Sequence, residues 1–375
     1  MSRARDIADL SSISARLDTV GGSEGALSNR NIIINGAMQI AQRATQSTNA
    51  SSTGYKTLDR YYHEMKVNTD NFTYTTEQVS DAPSGFSKSF KLTCTTAETA
   101  LASDEYGRIY QAIEGNNLER IGFGTSDAKQ ITLSFYVKSS LTGNFSASFY
   151  VNDANVLYSQ AYTINAANTW EYKTLTFPAY TTAGPNIDNT QGALINFGLF
   201  AGSGHNTATS NWTSYSTTNL LGGQTASLAG TINATWQITG IQLEVGDTAT
   251  DFEHRKFSEE LQACQRYTYV VKGDDDDHTG FIGYTESAAN ARFGVLHPVP
   301  MRAAPSFTFS GTCRAQGGTN DSANFTSGLA IANPNTSNTG AALRVTGTSG
   351  MGGADRGYNL QFKANGSSFI FDAEL

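Results

Sequence analysis

Charge is scarce in this chain. Of its 375 residues, 15% are Asp, Glu, Lys or Arg, where globular proteins carry about 25%. The net charge of -8 comes without any run of clustered Lys and Arg, which excludes a nucleic-acid footprint; an acidic shell supplies solubility and little more. Cysteine is scarce too. Cys94, Cys264 and Cys313 are odd in number and far apart, so they fit neither a disulfide framework nor a zinc pattern and read as small buried or half-buried thiols. No window approaches the ~18 apolar residues of a membrane span, so no membrane insertion is expected. The opening MSRARDIADL is charged and no apolar run follows it, which predicts a chain made in the cytoplasm with no secretion address of its own. There is no G-x-S-x-G, no H-E-x-x-H and no P-loop, and no internal period.

Ser, Thr, Asn and Gly fill the space that charge leaves. With β-branched and aromatic residues for strands and Gly and Asn for turns, this composition suits an all-β protein. It also suits a surface that makes neutral hydrogen bonds, as sugar-contacting surfaces do.

Three regions follow. In RDIADLSSISARLDTV the apolar residues Ile7, Leu10, Ile13, Leu17 and Val20 fall at near-heptad spacing. Two heptads are too short to be stable alone, so residues 1–30 read either as a docking or trimerising helix with a flexible linker, GGSEGALSNR, or as a frayed terminus. Residues 31–255 read as about ten strands separated by turns. NIIINGAMQIAQR (31–43) begins with a strand-like run. In ITLSFYVKS, Ile131, Leu133, Phe135 and Val137 point one way and Thr132, Ser134, Tyr136 and Lys138 the other. One large jelly-roll β-sandwich is predicted. In WQITGIQLEV the apolar side changes parity at Thr239-Gly240, which predicts a β-bulge with glycine as its permissive residue. A helical piece, KFSEELQACQRY (256–267), opens the third region through 375, with Phe257, Leu261 and Cys264 on one face. FIGYTE, ARFGVLHPVPM, SFTFSG, AALRVTG, YNLQFKA and SSFIFDAEL then predict a smaller C-terminal β domain, with long Gly/Asn/Ser loops GGTNDSANFTSG and NPNTSNTG that suit recognition.

The segments NIIINGAMQIAQR, TLDRYY, QVSDAPSGFSKSFKLT, IYQAIEG, LSFYVKSS, NTWEYKTLTFP, WQITGIQLEVGDTATDFEHR and EELQACQRYTY, in this order, resemble tail-fibre and related virion proteins of tailed bacteriophages, marine ones especially. MSRARDIADL, PMRAAPSFTFSG and FDAEL resemble the starts and ends of such fibres. Within the chain, KQITLSFYVKSS and NTWEYKTLTF give the 31–253 region the look of jelly-roll carbohydrate-binding modules. The resemblance implies a virion tail component assembled in the host cytoplasm. It implies a homotrimer that meets a host surface polysaccharide and contacts other tail proteins through its N-terminus. A non-binding adaptor, shaft or capsid decoration is the alternative. A depolymerising tailspike fits less well, because a repetitive β-helix segment is lacking.

The candidate sites are few. Asp251 and Glu253 lie on one side of an extended segment and are the residue types a glycosidase pairs, but they follow the last strand beside His254 and Arg255 and read as a salt-bridged exit; no catalysis is expected. GSGHNTATSNWTSYSTTN (202–219) places His205, Trp212 and Tyr215 in a polar loop, where Trp212 either caps the sandwich edge or offers a glycan platform; Trp170 and Trp236 read as core. Phe325 and the Asn-rich loops are weaker glycan candidates. GDDDDHTG (273–280) offers Asp274 and Asp276 to a metal or is a solvated acidic loop. No cofactor is required. Modules of the resembled class often hold a structural calcium, to which Gln242 and Glu244 could contribute.

Overall fold

The computed structural model describes residues 29–50, 53–68, 72–318, 321–348 and 350–375. The expected helix of Ile7, Leu10, Ile13 and Leu17 lies outside the described residues. The chain divides into two compact units between Lys256 and Phe257.

The first unit is a β-sandwich of the jelly-roll kind. Its strands are β1 (Gln46–Ala50), β2 (Gly54–Tyr55), β3 (Tyr62–Lys66), β4 (Thr73–Val79), β5 (Ser89–Thr96), β6 (Tyr106–Glu114) and β7 (Ile131–Ser139). They continue with β8 (Gly143–Val151), β9 (Val156–Ile164), β10 (Glu171–Phe177), β11 (Gln191–Ala201), β12 (Thr213–Ser214) and β13 (Thr235–Val245). A six-stranded sheet runs β1-β4-β5-β13-β7-β10, and a seven-stranded sheet runs β12-β9-β8-β11-β6-β3-β2. The chain passes repeatedly from one sheet to the other, and neighbours pair antiparallel. Strand alternation sends Leu133, Phe135 and Val137 of β7 inward to meet Phe145, Phe149 and Phe197 of the facing sheet, all fully buried with Trp236. Burying each such side chain contributes roughly 1.5–3 kcal/mol. Strand β9 escapes the sequence reading, although VLYSQAYTI alternates and follows the turn NDAN, whose Asn155 adopts φ 50°.

Two expectations on this unit are corrected. Ile32–Ile34 form no strand; the segment is irregular, and asparagine side chains take over the work of a ladder. Asn31 Nδ2 donates to the Ile241 carbonyl (3.0 Å) while its Oδ1 accepts from Ile33 and Leu243 N–H. Asn35, at φ 60°, accepts from Ile40 N–H. Trp170 is not core: it is only half-buried and lies under Lys138, 5.1 Å from its ring centre. The bulge at Thr239-Gly240 is present. The β13–β7 register shifts between Thr239 and Gln242, and Gly240 sits at φ 62°, where a side chain would be strained.

The second unit opens with helix α1 (Phe257–Gln265). Its buried face carries Glu260 and Cys264 rather than the expected Phe257, which is exposed. The unit holds a three-stranded and a seven-stranded sheet around Phe281, Phe293, Phe362, Phe369 and Phe371. The expected recognition loops are partly strand, Ser322–Phe325 and Leu329–Thr336. Phe325 is buried in the core, which removes it as a glycan contact. All three cysteines are buried, and none is in a disulfide. No helix among the described residues is long and apolar enough to cross a membrane.

Candidate functional site: an aromatic groove on the seven-stranded sheet

Alternation that sends His63, Met65 and Ile109 into the sandwich sends Tyr62, Glu64, Tyr106, Arg108 and Tyr110 to the outer face of the seven-stranded sheet. The β3–β6 register sets Tyr62 opposite Tyr110 and Glu64 opposite Arg108. The two tyrosine rings stack at 4.8 Å and 25°. Tyr55 on β2 meets Tyr62 edge-on at 5.0 Å. Arg108 lies 4.9 Å from the Tyr110 ring centre and 6.0 Å from that of Tyr106.

Polar side chains lock this aromatic line in place. Glu64 Oε2 accepts from Arg108 NH2 (2.6 Å) and Nε (3.0 Å), and its Oε1 accepts from the Tyr106 hydroxyl. Arg108 NH1 donates to Asn196 Oδ1 (2.7 Å), and Asn196 donates to Ser148. Arg108 is 6% exposed, so its charge depends on these partners. Burial, then the Glu64 carboxylate, pushes the Tyr106 hydroxyl above its ordinary range, so it stays protonated and donates. The result is a groove of about 520 Å³ lined by Thr53, Tyr62, Glu64, Met65, Lys66, Val67, Tyr106 and Tyr110. Half-buried tyrosine rings with a few fixed polar groups suit a ligand with alternating C–H faces and hydroxyl rims.

The predicted loop, 202–219, borders this groove but does not act as expected. Segment 202–224 packs down on the neighbouring half of the sheet face, where Leu220 and Leu221 meet Leu157 and Tyr106. The approach is close enough that a Cβ on Gly222 would lie 2.3 Å from Ser159 Oγ. His205 is 4% exposed; its Nδ1 is 2.7 Å from the Thr217 carbonyl and its ring stands edge-on to Tyr106 at 4.7 Å. It stands behind Tyr106 and does not line the groove. Trp212 and Tyr215 do not form one platform. Trp212 packs on the inner side, against Phe123, Phe149, Tyr158 and Tyr180, with Nε1 donating to the Pro178 carbonyl (3.0 Å). Tyr215 packs on the outer side, 4.6 Å from Tyr150. Phe149 and Tyr150 are consecutive on β8, so the sheet itself separates the two aromatics. Trp212 caps the sandwich edge. The groove residues escaped sequence reading although YYHEMKV and RIYQAIE are legible as strands. The signal was aromatic and charged residues sharing one parity, Tyr62-Glu64-Lys66 and Tyr106-Arg108-Tyr110.

The carboxylates proposed for metal have other partners. Asp276 Oδ1 accepts from Arg314 NH2 (2.6 Å) and Lys363 Nζ (2.9 Å), and Asp274 accepts from Gly366 N–H. Lys363, then Arg314, hold the Asp276 carboxyl below the usual carboxylate range. Glu244 accepts from Thr250 N–H (2.9 Å) and hydroxyl (2.6 Å) and from Gln242 Nε2 (2.8 Å), fastening its own loop. Among the described residues no group of three His, Cys, Asp or Glu is placed to hold a metal ion. The charged exit after β13 is a clamp. Glu253 Oε2 accepts from Asn31 N–H (2.9 Å) and lies 3.9 Å from Arg255, which donates to the Asn31 and Ile33 carbonyls.

No protein-family model matches the chain, and no curated protein matches it. Solved structures similar to part of it include the enzymatically active domain of tailspike protein 4 of bacteriophage CBA120, at 16% identity and TM-score 0.30 over 57% of this chain and 21% of that one. Others are a putative sugar-binding protein from Bacteroides thetaiotaomicron (11% identity, TM-score 0.32, 58% of this chain and 100% of that one) and a family 11 carbohydrate-binding module from Clostridium thermocellum in complex with a mixed-linked tetrasaccharide (11%, 0.28, 55% and 99%). The chain thus spans about a fifth of the tailspike chain. The jelly-roll assignment rests on the strand order described above.

Proposed function

We propose that this chain is a non-enzymatic, glycan-binding structural protein of a phage tail, adsorbing to a host surface polysaccharide through the groove on the seven-stranded sheet. The observation that carries the glycan reading is the stacked Tyr62–Tyr110 pair beside the Glu64–Arg108–Tyr106 cluster. Among the described residues Glu64 is the one carboxylate lining the groove, and it is already paired with Arg108; glycoside hydrolysis needs two facing carboxylates. The virion placement rests on the ordered series of fibre-like segments in the sequence. On the same ground the working unit is a homotrimer that docks to other tail proteins through residues 1–30.

The test is adsorption of the full chain to host cells and to their purified surface polysaccharide. Changing Tyr62 and Tyr110 together to Ala should weaken binding by about tenfold or more. Unchanged adsorption would remove the groove assignment and favour a scaffold without ligand. Release of reducing ends from the polysaccharide would overturn the non-enzymatic reading. Light scattering on the full chain and on a chain starting at Asn31 tests the trimer; a monomer in both rejects it.

A further inference from the structure

The outer face of the other sheet carries aromatic side chains that the groove does not use. Tyr172 on β10 sits directly opposite Tyr136 on β7, with ring centres 4.9 Å apart. Tyr136 meets Phe86 at 5.6 Å, and Phe86 meets Phe252 at 5.0 Å and His254 at 5.2 Å. Phe86 lies over the bulge: a Cβ on Gly240 would come within 2.7 Å of its ring. One row further along, Trp170 stacks with Lys138, and its Nε1 donates to Asp81 Oδ1 (3.3 Å). Asp81 is ion-paired with Lys138. That bond holds the Asp81 carboxyl below its usual range and fixes an acceptor at the rim of the strip.

Between the rings the open surface bears Thr174, with Ser134 and Thr239 buried beneath it, and no Leu, Ile, Val or Met falls on this parity of β7 or β10. Tyr172 is 47% exposed. A protein partner would bury aliphatic surface, and a nucleic acid would need unpaired cations. Here Lys138 is neutralised by Asp81, and Lys91 sits across from Glu77. Partly open aromatic rings bordered by Thr174 and the Asp81 acceptor, with Lys138 and Lys91 each facing a carboxylate, fit the C–H faces and hydroxyl rims of an uncharged sugar chain. The rings are tilted to one another by 40–72°, which suits a single turning chain and not a flat crystalline surface.

We propose that this strip is a second glycan-binding surface, specific for a single chain of neutral sugars and independent of the groove. The experiment is calorimetry of the full chain with cello-, xylo- and laminari-hexaose, and with an oligogalacturonate as the acidic probe. The expected result is a neutral hexaose bound at two sites per chain. Changing Trp170 and Tyr172 together to Ala should remove one site and leave the Kd of the other within about twofold, as for distant sites. Tyr172→Phe should keep both sites, since the ring does the work. Changing Tyr62 and Tyr110 to Ala should remove the other site. A single site abolished only by the groove variant would overturn this inference and leave the groove standing. Binding of the oligogalacturonate alone, or of none of the probes, would also overturn it.

Discussion

The two outer faces of the sandwich are organised alike and differ in where their charge lies. On each, a loop covers one half of the sheet and lends aromatic rings to the edge of the open half. On the seven-stranded sheet, segment 202–224 brings His205 against Tyr106. On the six-stranded sheet, the stretch after β13 brings Phe252 and His254 against Phe86. The cations beside the rings differ. Arg108 is buried beneath its tyrosines with Glu64 and Asn196 as partners, whereas Lys138 reaches Asp81, a residue half in solvent. A buried pair cannot be opened without exposing an unpaired charge to an apolar setting, so the groove is preorganised. A pair whose carboxylate is half in solvent opens at lower cost, so the strip stays more adaptable.

Acid tests what the faces share. His63 of β3 is fully buried between the sheets against Tyr74 and Phe90, with neither ring nitrogen bonded. Burial, helped by Lys56, lowers its pKa from 6.5 to about 3. The unfolded chain takes up this proton at a higher pH than the folded one, so stability is full above about pH 6.5 and falls as pH drops toward 3. About 3 kcal/mol should be lost between pH 7 and pH 4. Urea unfolding at both values measures it, and His63→Phe should abolish this part of the slope.

The remaining perturbations separate the faces. Arg108→Leu should cost about 2–3 kcal/mol, below the range for a fully buried pair because Glu64 is 24% exposed, and should abolish groove binding. Gly240→Ala should cost about 1–2 kcal/mol from the left-handed backbone, and it should displace Phe86 and weaken the strip without touching the groove. Lys138→Ala should cost under about 1 kcal/mol. Thermal unfolding of the three variants orders them, and a Lys138→Ala loss equal to that of Arg108→Leu would erase the distinction between the faces.

Much of the fold was readable because burial enforces parity. The β7 and β13 runs declare which side faces the core, and the parity change at Gly240 announces a bulge. Where hydrogen bonds came from side chains, reading failed: NIIING looks like a strand, but Asn31 and Asn35 bond the neighbouring backbone and release it from a ladder. The site was less legible. The search for exposed aromatics in loops led to Trp212 and Tyr215, which one strand's pleat sends to opposite sides of the sheet.

The sequence alone determined an all-β chain with a bulged last strand, because hydrophobic period and glycine permissiveness are local properties. Only tertiary structure decided which outward-facing tyrosines meet. Tyr62 and Tyr110 are 48 positions apart, and only the β3–β6 register, a non-local pairing, sets them face to face.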